Sequence, residues 1–99
     1  MSVTSGTHAY VLHRDRQCVA ALLDGSHRCR DKWGNEHSSG ETALLTVEHV
    51  RDHAGGTRHD DPEHLIALCH HANAFEHWGS ANRDLCRAYL FGVRAQAAA

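Results

Sequence analysis

Residues 44–77 read LLTVEHVRDHAGGTRHDDPEHLIALCHHANAFEH, and the fold follows from how this stretch divides. Thr42 to Val50 is rich in Leu, Thr and Val, which predicts a strand. Alternation places Leu45, Val47 and His49 on one face and Leu44, Thr46, Glu48 and Val50 on the other, so Glu48 and His49 leave the strand in different directions. The residues that follow, RDHAGGTRHDDP, hold Gly55-Gly56, several charges and the only proline, the composition of a surface loop that can lie along a ligand. His64 to Leu68 (HLIAL) predicts a short second strand, antiparallel to the first if the loop simply returns. From Cys69 the pattern turns helical, and a helix through Asn73 places His77 one turn further along the same face.

Outward from this stretch the chain offers one domain's worth of material. Ninety-nine residues is near the lower size at which a chain buries enough apolar surface to fold unaided, and a core that small benefits from a staple. Hydrophobic residues make up 41% and charged ones 22%, ordinary values, but eleven His and four Cys are an excess that points to metal. The start, MSVTSGTHAY, has neither a basic lead nor an apolar run, and no stretch approaches the ~20 apolar residues of a membrane span. An intracellular, reducing setting with no membrane association is therefore expected, in which Cys18, Cys29, Cys69 and Cys86 act as metal ligands or small buried apolar groups and not as disulfides. The net charge of −2 with neutral His argues against a broadly basic nucleic-acid surface. Local charge runs the other way, with Arg28, Arg30 and Lys32 before the central stretch and Arg51 and Arg58 inside its loop.

Residues 1–8 read as a disordered lead, and 9–95 as a single folded domain. Ala9 to Arg16 fits either a short helix or an extended entry. Cys18 and Cys29 are separated by an apolar run and a turn at Asp24-Gly25, and residues 30–41 form a polar loop. Gly79 is read as a helix break, with Ser80 capping a last helix from near Ala81 in which Leu85, Tyr89, Leu90 and Val93 recur at helical spacing beside Cys86. Trp33 and Trp78 are assigned to the core in preference to base stacking.

Strand, loop, strand and helix, with Glu48-His49 on the first strand, His64 opening the second and Asn73 on the helix, resemble the HNH endonuclease family, small phage-encoded members included. The resemblance covers about Cys18 to Asn73. The family's segment N-L-x-x-L-C-x-x-C-H aligns without a gap on H-L-I-A-L-C-H-H-A-N, with His64 for the central Asn, Ala72 for the second Cys and Asn73 for the last His. The implied fold class is α+β, a small ββα-metal domain with flanking helices.

The resemblance also implies a chemistry. His49 would act as general base on a water in phosphodiester hydrolysis, and His64 would brace the loop. Glu48 and Asn73, with His77, would hold one divalent cation, Mg²⁺ or Mn²⁺ by the hardness of the donors, with Zn²⁺ or Ni²⁺ as alternatives. A family zinc uses paired cysteines, half of which are missing here. Either Cys18, Cys29 and Cys69 recruit a further ligand, with His71 placed in the set and His70 or Cys86 as substitutes, or the cysteines are core. The expected partner is DNA, together with a phage terminase or packaging protein. The alternative is a catalytically weak, zinc-stapled module that binds DNA or modulates a nuclease. His8, His13, His27 and His37 are assigned no role.

Overall fold

The computed structural model describes residues 4–53 and 55–98. Its fold class is α+β, as expected: helices surround one antiparallel hairpin in which β1 (Leu45–His49) pairs with β2 (Leu65–Cys69). Leu45 stands opposite Cys69 and His49 opposite Leu65. The first strand is shorter than its composition predicts, because Thr42–Leu44 forms a 3-10 turn ahead of it. A second such turn, Pro62–His64, precedes β2 and starts on the proline, whose fixed φ suits that position. His64 therefore lies just outside the strand, although its carbonyl still accepts from Val50 N at 2.7 Å.

β2 is the apolar axis of the molecule, with Leu65, Ile66, Ala67, Leu68 and Cys69 all buried. A strand covered on both faces needs a continuous apolar run in place of alternation, which is what L-I-A-L-C supplies. Its outer edge cannot be left bare, since buried backbone N–H and C=O groups without partners each cost free energy comparable to a lost hydrogen bond. The end of α1 (Ser5–Asp15) and the residues just after it supply the partners. Arg14 donates to Leu65 O (2.6 Å) and Pro62 O (2.7 Å), Asp15 Oδ2 accepts from Ala67 N (2.9 Å), and Cys18 Sγ accepts from Cys69 N (3.3 Å).

α1 settles the open reading of residues 9–16 as helix. It also takes in residues 5–8, which composition reads as a disordered lead: Thr4 caps it by accepting from Thr7 N, and Arg16 ends it in the left-handed region at φ 61°. Residues 1–3 lie outside the described residues. α2 (Val19–Leu23) is one short turn that buries Val19 and Ala20.

After β2 the chain departs from the regular helix expected. His71–Phe75 forms a π-helical turn, closed by Glu76 N on His71 O at 3.0 Å, and His77 follows in the left-handed region at φ 48°. A π-turn and a left-handed residue both change the angular spacing, so Asn73 and His77 do not share one α-helical face. Gly79 lies inside α3 (Trp78–Ala81) and does not break it. α4 (Arg83–Ala98) starts later than expected and turns Cys86 and Leu90 inward, leaving Leu85 half exposed. Trp78 is core, as read from the sequence, but Trp33 is 72% exposed at a loop tip under Lys32 Nζ (4.5 Å to the ring). No helix among the described residues is long and apolar enough to cross a membrane.

Asp15 joins three elements, because its Oδ1 accepts from Tyr89 OH of α4 (2.6 Å) and from Arg14 Nε (2.7 Å) while Oδ2 holds β2. Asp15→Ala would strand a partly buried guanidinium, the Tyr89 hydroxyl and a strand amide together. The expected loss is about 3 kcal/mol, read from urea unfolding, whereas Asp24→Ala at an exposed turn should shift the midpoint far less.

Candidate metal centre and active site

Cys18, His27, Cys29 and Cys69 converge, with one donor atom from each lying within 4.8 Å of all the others. These four could hold a metal ion such as zinc, a tetrahedral set of three thiols and one imidazole. Each donor arrives for a local reason. Cys18 leads into α2, and Cys69 ends β2 at the hairpin's open end. The turn at Asp24, whose Oδ1 accepts from Ser26 N and whose carbonyl accepts from His27 N, aims His27 inward, and its side chain is only 4% exposed. Cys29 opens a small hairpin-like loop closed by the Arg30–Glu36 bridge, with Asp31 Oδ1 accepting from Trp33 N and Asn35 N.

The electrostatics suit a cation. Cys69 is held below the usual thiol range, chiefly by the Cys18 thiol that donates to it, against the cost of burial, with the Ala72 amide and His27 also contributing. Burial pushes Cys29 up to about 11, and Cys18 is raised well above the usual thiol range by its bond to Cys69 and by burial. One thiolate among thiols is what a site of adjacent sulfurs can sustain without a metal ion, and ligation would deprotonate the rest. His27 Nε2 lies 3.4 Å from Cys69 Sγ, while Nδ1 is 3.8 Å from Glu76 Oε1, within ion-pair range but beyond a hydrogen bond.

Of the four zinc candidates chosen from sequence, the structure brings together Cys18, Cys29 and Cys69 and places His27 where His71 was expected. His71 instead pairs with Glu76 Oε1 at 3.0 Å. The signal for His27 was available in its spacing: His27-x-Cys29 directly after a D-G-S turn delivers two donors from one short loop. Cys86 is also outside the group, buried on α4, where burial and the Glu48 charge push it up to about 12.

β1 carries the other candidates. Thr46 and Glu48 share a face, and Asn73 reaches the same face by donating from Nδ2 to Thr46 Oγ1 (2.9 Å), which in turn donates to Leu68 O (2.8 Å). The Glu48 carboxylate sits against α3 and accepts from Gly79 N at 3.3 Å. A Cβ at position 79 would lie 2.6 Å from Glu48 Oε2, so glycine is required there for the carboxylate to approach the helix. Burial pushes Glu48 up to about 7, only partly offset by the Gly79 amide and Arg58. Glu48 joins no group of three His, Cys, Asp or Glu donors among the described residues, and His77 is exposed.

His49 faces the loop. Its Nε2 meets Asp60 Oδ1 at 2.6 Å, and Arg58 Nη2 donates to Nδ1 at 3.0 Å. The Arg58 bond makes Nδ1 the acceptor, so Nε2 carries the proton given to Asp60. His64 stands nearby in the Pro62–His64 turn, its ring 4.5 Å from that of His59. Neither Asp60 nor the pairing of Arg58 with His49 was read from the sequence, since loop contacts have no periodicity. Compared with known proteins, the chain matches no protein-family model, no curated protein and no solved structure.

Two outcomes follow. Purified protein should retain one tightly held metal ion per chain by elemental analysis; His27→Ala should release it to a mild chelator and His71→Ala should not. The second concerns pH. Glu48 holds its proton to about pH 7 when folded against 4.5 as a reference, so the folded state binds more protons between these values and stability falls as pH rises through that window. Glu48→Gln should match the parent in urea midpoint near the lower value and exceed it above pH 7, measured without added divalent ions.

Proposed function

We propose that the chain is a zinc-stapled, metal-dependent DNA endonuclease of the HNH type, with the hairpin and the π-turn corresponding to the ββα-metal element of that family. The observation that carries this reading is the setting of His49, an imidazole at the end of a strand with a carboxylate on one nitrogen and an arginine on the other. Asp60 fixes the tautomer and stabilises the imidazolium that forms when His49 takes a proton. Arg58 covers the acceptor nitrogen in the free protein. A phosphate is a better partner for a guanidinium than an imidazole is, so a bound phosphodiester would draw Arg58 away and free Nδ1 for a water.

The donors on the other face fit a hard cation: one carboxylate, Glu48, and one amide, Asn73, both on the Thr46 side of β1. A divalent ion held by Glu48 and Asn73 would stabilise negative charge on the leaving oxygen and a non-bridging oxygen. Gly79 and Thr46 are the positioning groups, the first by letting Glu48 lie against α3 and the second by holding the Asn73 amide. His77, exposed and left-handed, is assigned no share in this set. Zinc at Cys18, His27, Cys29 and Cys69 would serve the fold and not the reaction. Trp33, with Lys32 over its ring, adds an exposed aromatic next to Arg28 and Arg30, a combination able to meet a base and its phosphate. A packaging protein of a phage is the partner class that the family resemblance suggests.

A second reading is favoured by one feature. Glu48 is raised toward neutrality and already engaged by Gly79, which suits a module that binds DNA through its zinc staple and cuts poorly, or one that modulates another nuclease. Plasmid nicking with Mg²⁺ or Mn²⁺ separates the two. Under the endonuclease reading the parent nicks and His49→Ala loses ~10²–10⁴-fold while still binding DNA. Equal cleavage by both proteins would remove His49 as base, and DNA binding without cleavage by either would favour the second reading.

A further inference from the structure

At the end of the hairpin away from the four-donor cluster, Asp52, His59 and His64 form a second group whose donor atoms all lie within 4.8 Å of one another. We propose that these three residues bind a divalent transition-metal ion that clips the β1–β2 loop. The site is separate from the thiol cluster and from Glu48 and Asn73, and it stands whether or not the chain cleaves DNA.

The distances fit a bridging ion better than direct contact. His64 Nε2 is 4.0 Å from Asp52 Oδ1, beyond hydrogen-bond range. Donors around an ion at ~2.1 Å sit about 3.4 Å apart in a tetrahedron, so the Asp52–His64 pair would close by about 0.6 Å and no pair in the set by more than about 1.4 Å. His59 and His64 present rings with centroids 4.5 Å apart and tilted by 37°, side by side and not edge to face. His64 Nδ1 is buried without a hydrogen-bond partner, so neither of its ring nitrogens is committed to a strong bond within the protein. Two imidazoles and one carboxylate with open positions select a borderline transition metal over Mg²⁺ or Ca²⁺.

The surroundings leave room for the remaining coordination positions. Asp52 and His64 both line a cavity of about 250 Å³ whose other walls include Val50, Glu63, Arg87 and Phe91. Water could complete the ion's shell there. The three ligands also span the loop: Asp52 follows β1, His59 sits midway, and His64 leads into β2. An ion held by all three would restrict residues 52–64. His59 is flanked by Arg58 and Asp60, the two groups on His49, so the same clip would hold them in place.

The test uses the full chain with its thiol cluster loaded as purified. Titration of a Glu48→Gln background, in which the Glu48–Asn73 pair offers no carboxylate, with Ni²⁺, followed calorimetrically, should show one further equivalent per chain, and the ligand variants are compared in that background. Asp52→Asn and His59→Ala should each weaken it at least tenfold, while His71→Ala and His8→Ala should leave it unchanged. On Ni²⁺ addition, amide hydrogen exchange should slow across residues 52–64 in the parent and not in His59→Ala. No further equivalent, or a further equivalent that survives the Asp52→Asn/His59→Ala double variant at unchanged affinity, would overturn the proposal. Asp52 is exposed and His59 half-buried, and unchanged urea midpoints in the two single variants would confirm that folding is not what has been altered. Because the readouts are binding and exchange, loss of nicking activity has no bearing on the outcome.

Discussion

The outer edge of β2 is the constraint on which the rest of the structure depends. A two-stranded hairpin is marginal alone, and this one places its second strand in the centre of the core, where unpaired backbone groups would be costly. The solution is a third edge made of side chains: the Arg14 guanidinium, the Asp15 carboxylate and the Cys18 sulfur take the hydrogen bonds that another strand would have taken. α1 is therefore tied to the sheet by polar bonds as well as by Val11, and Tyr89 extends the tie to α4. A charged pair enclosed this way gains from bidentate geometry and from the further bonds of Arg14 to two carbonyls, without which its desolvation would outweigh its attraction.

The same edge bond explains why the thiol cluster forms where it does. Cys18 both ends the row of substitutes for a strand and supplies a donor, and Cys69 is at once the last residue of β2 and the most acidic of the thiols. Packing and the capacity to hold a metal ion thus converge on two residues. In a chain of 99 residues with a small core, an ion at this point would join the N-terminal helices, the loop carrying His27 and Cys29, and the sheet in one step.

What could be read from sequence follows the physics of each element. β1 and β2 were legible because aliphatic and β-branched residues cluster between turn signals, and the antiparallel return follows from the loop. The α1 helix was ambiguous because its capping threonine sits in a stretch whose Ser, Thr and Gly content resembles a loose end. The π-turn was not legible at all: its extra residue per turn comes from fitting His70 to Glu76 between β2 and α3, and nothing in H-A-N-A-F marks it. For the same reason the Asn73–His77 relation, which assumed 3.6 residues per turn, did not hold. Three thiol donors were found by residue type, whereas His27 was hidden among eleven histidines and only the turn ahead of it sets it apart.

The hairpin also divides the molecule's chemistry by direction. One end, at Leu45 and Cys69, carries soft sulfur donors that are buried; the other, at His49 and Leu65, opens on a charged loop of imidazoles and carboxylates that water can reach. Between them Glu48 occupies the one place on β1 where a carboxylate is half enclosed, and it stays there because Gly79 has no side chain. Adjacent residues on a strand point to opposite faces, so Glu48 and His49 could not be assembled around one point by β1 alone. What the two share is Arg58, which donates to His49 and whose charge favours the ionised form of Glu48, so the loop and not the strand is what relates them.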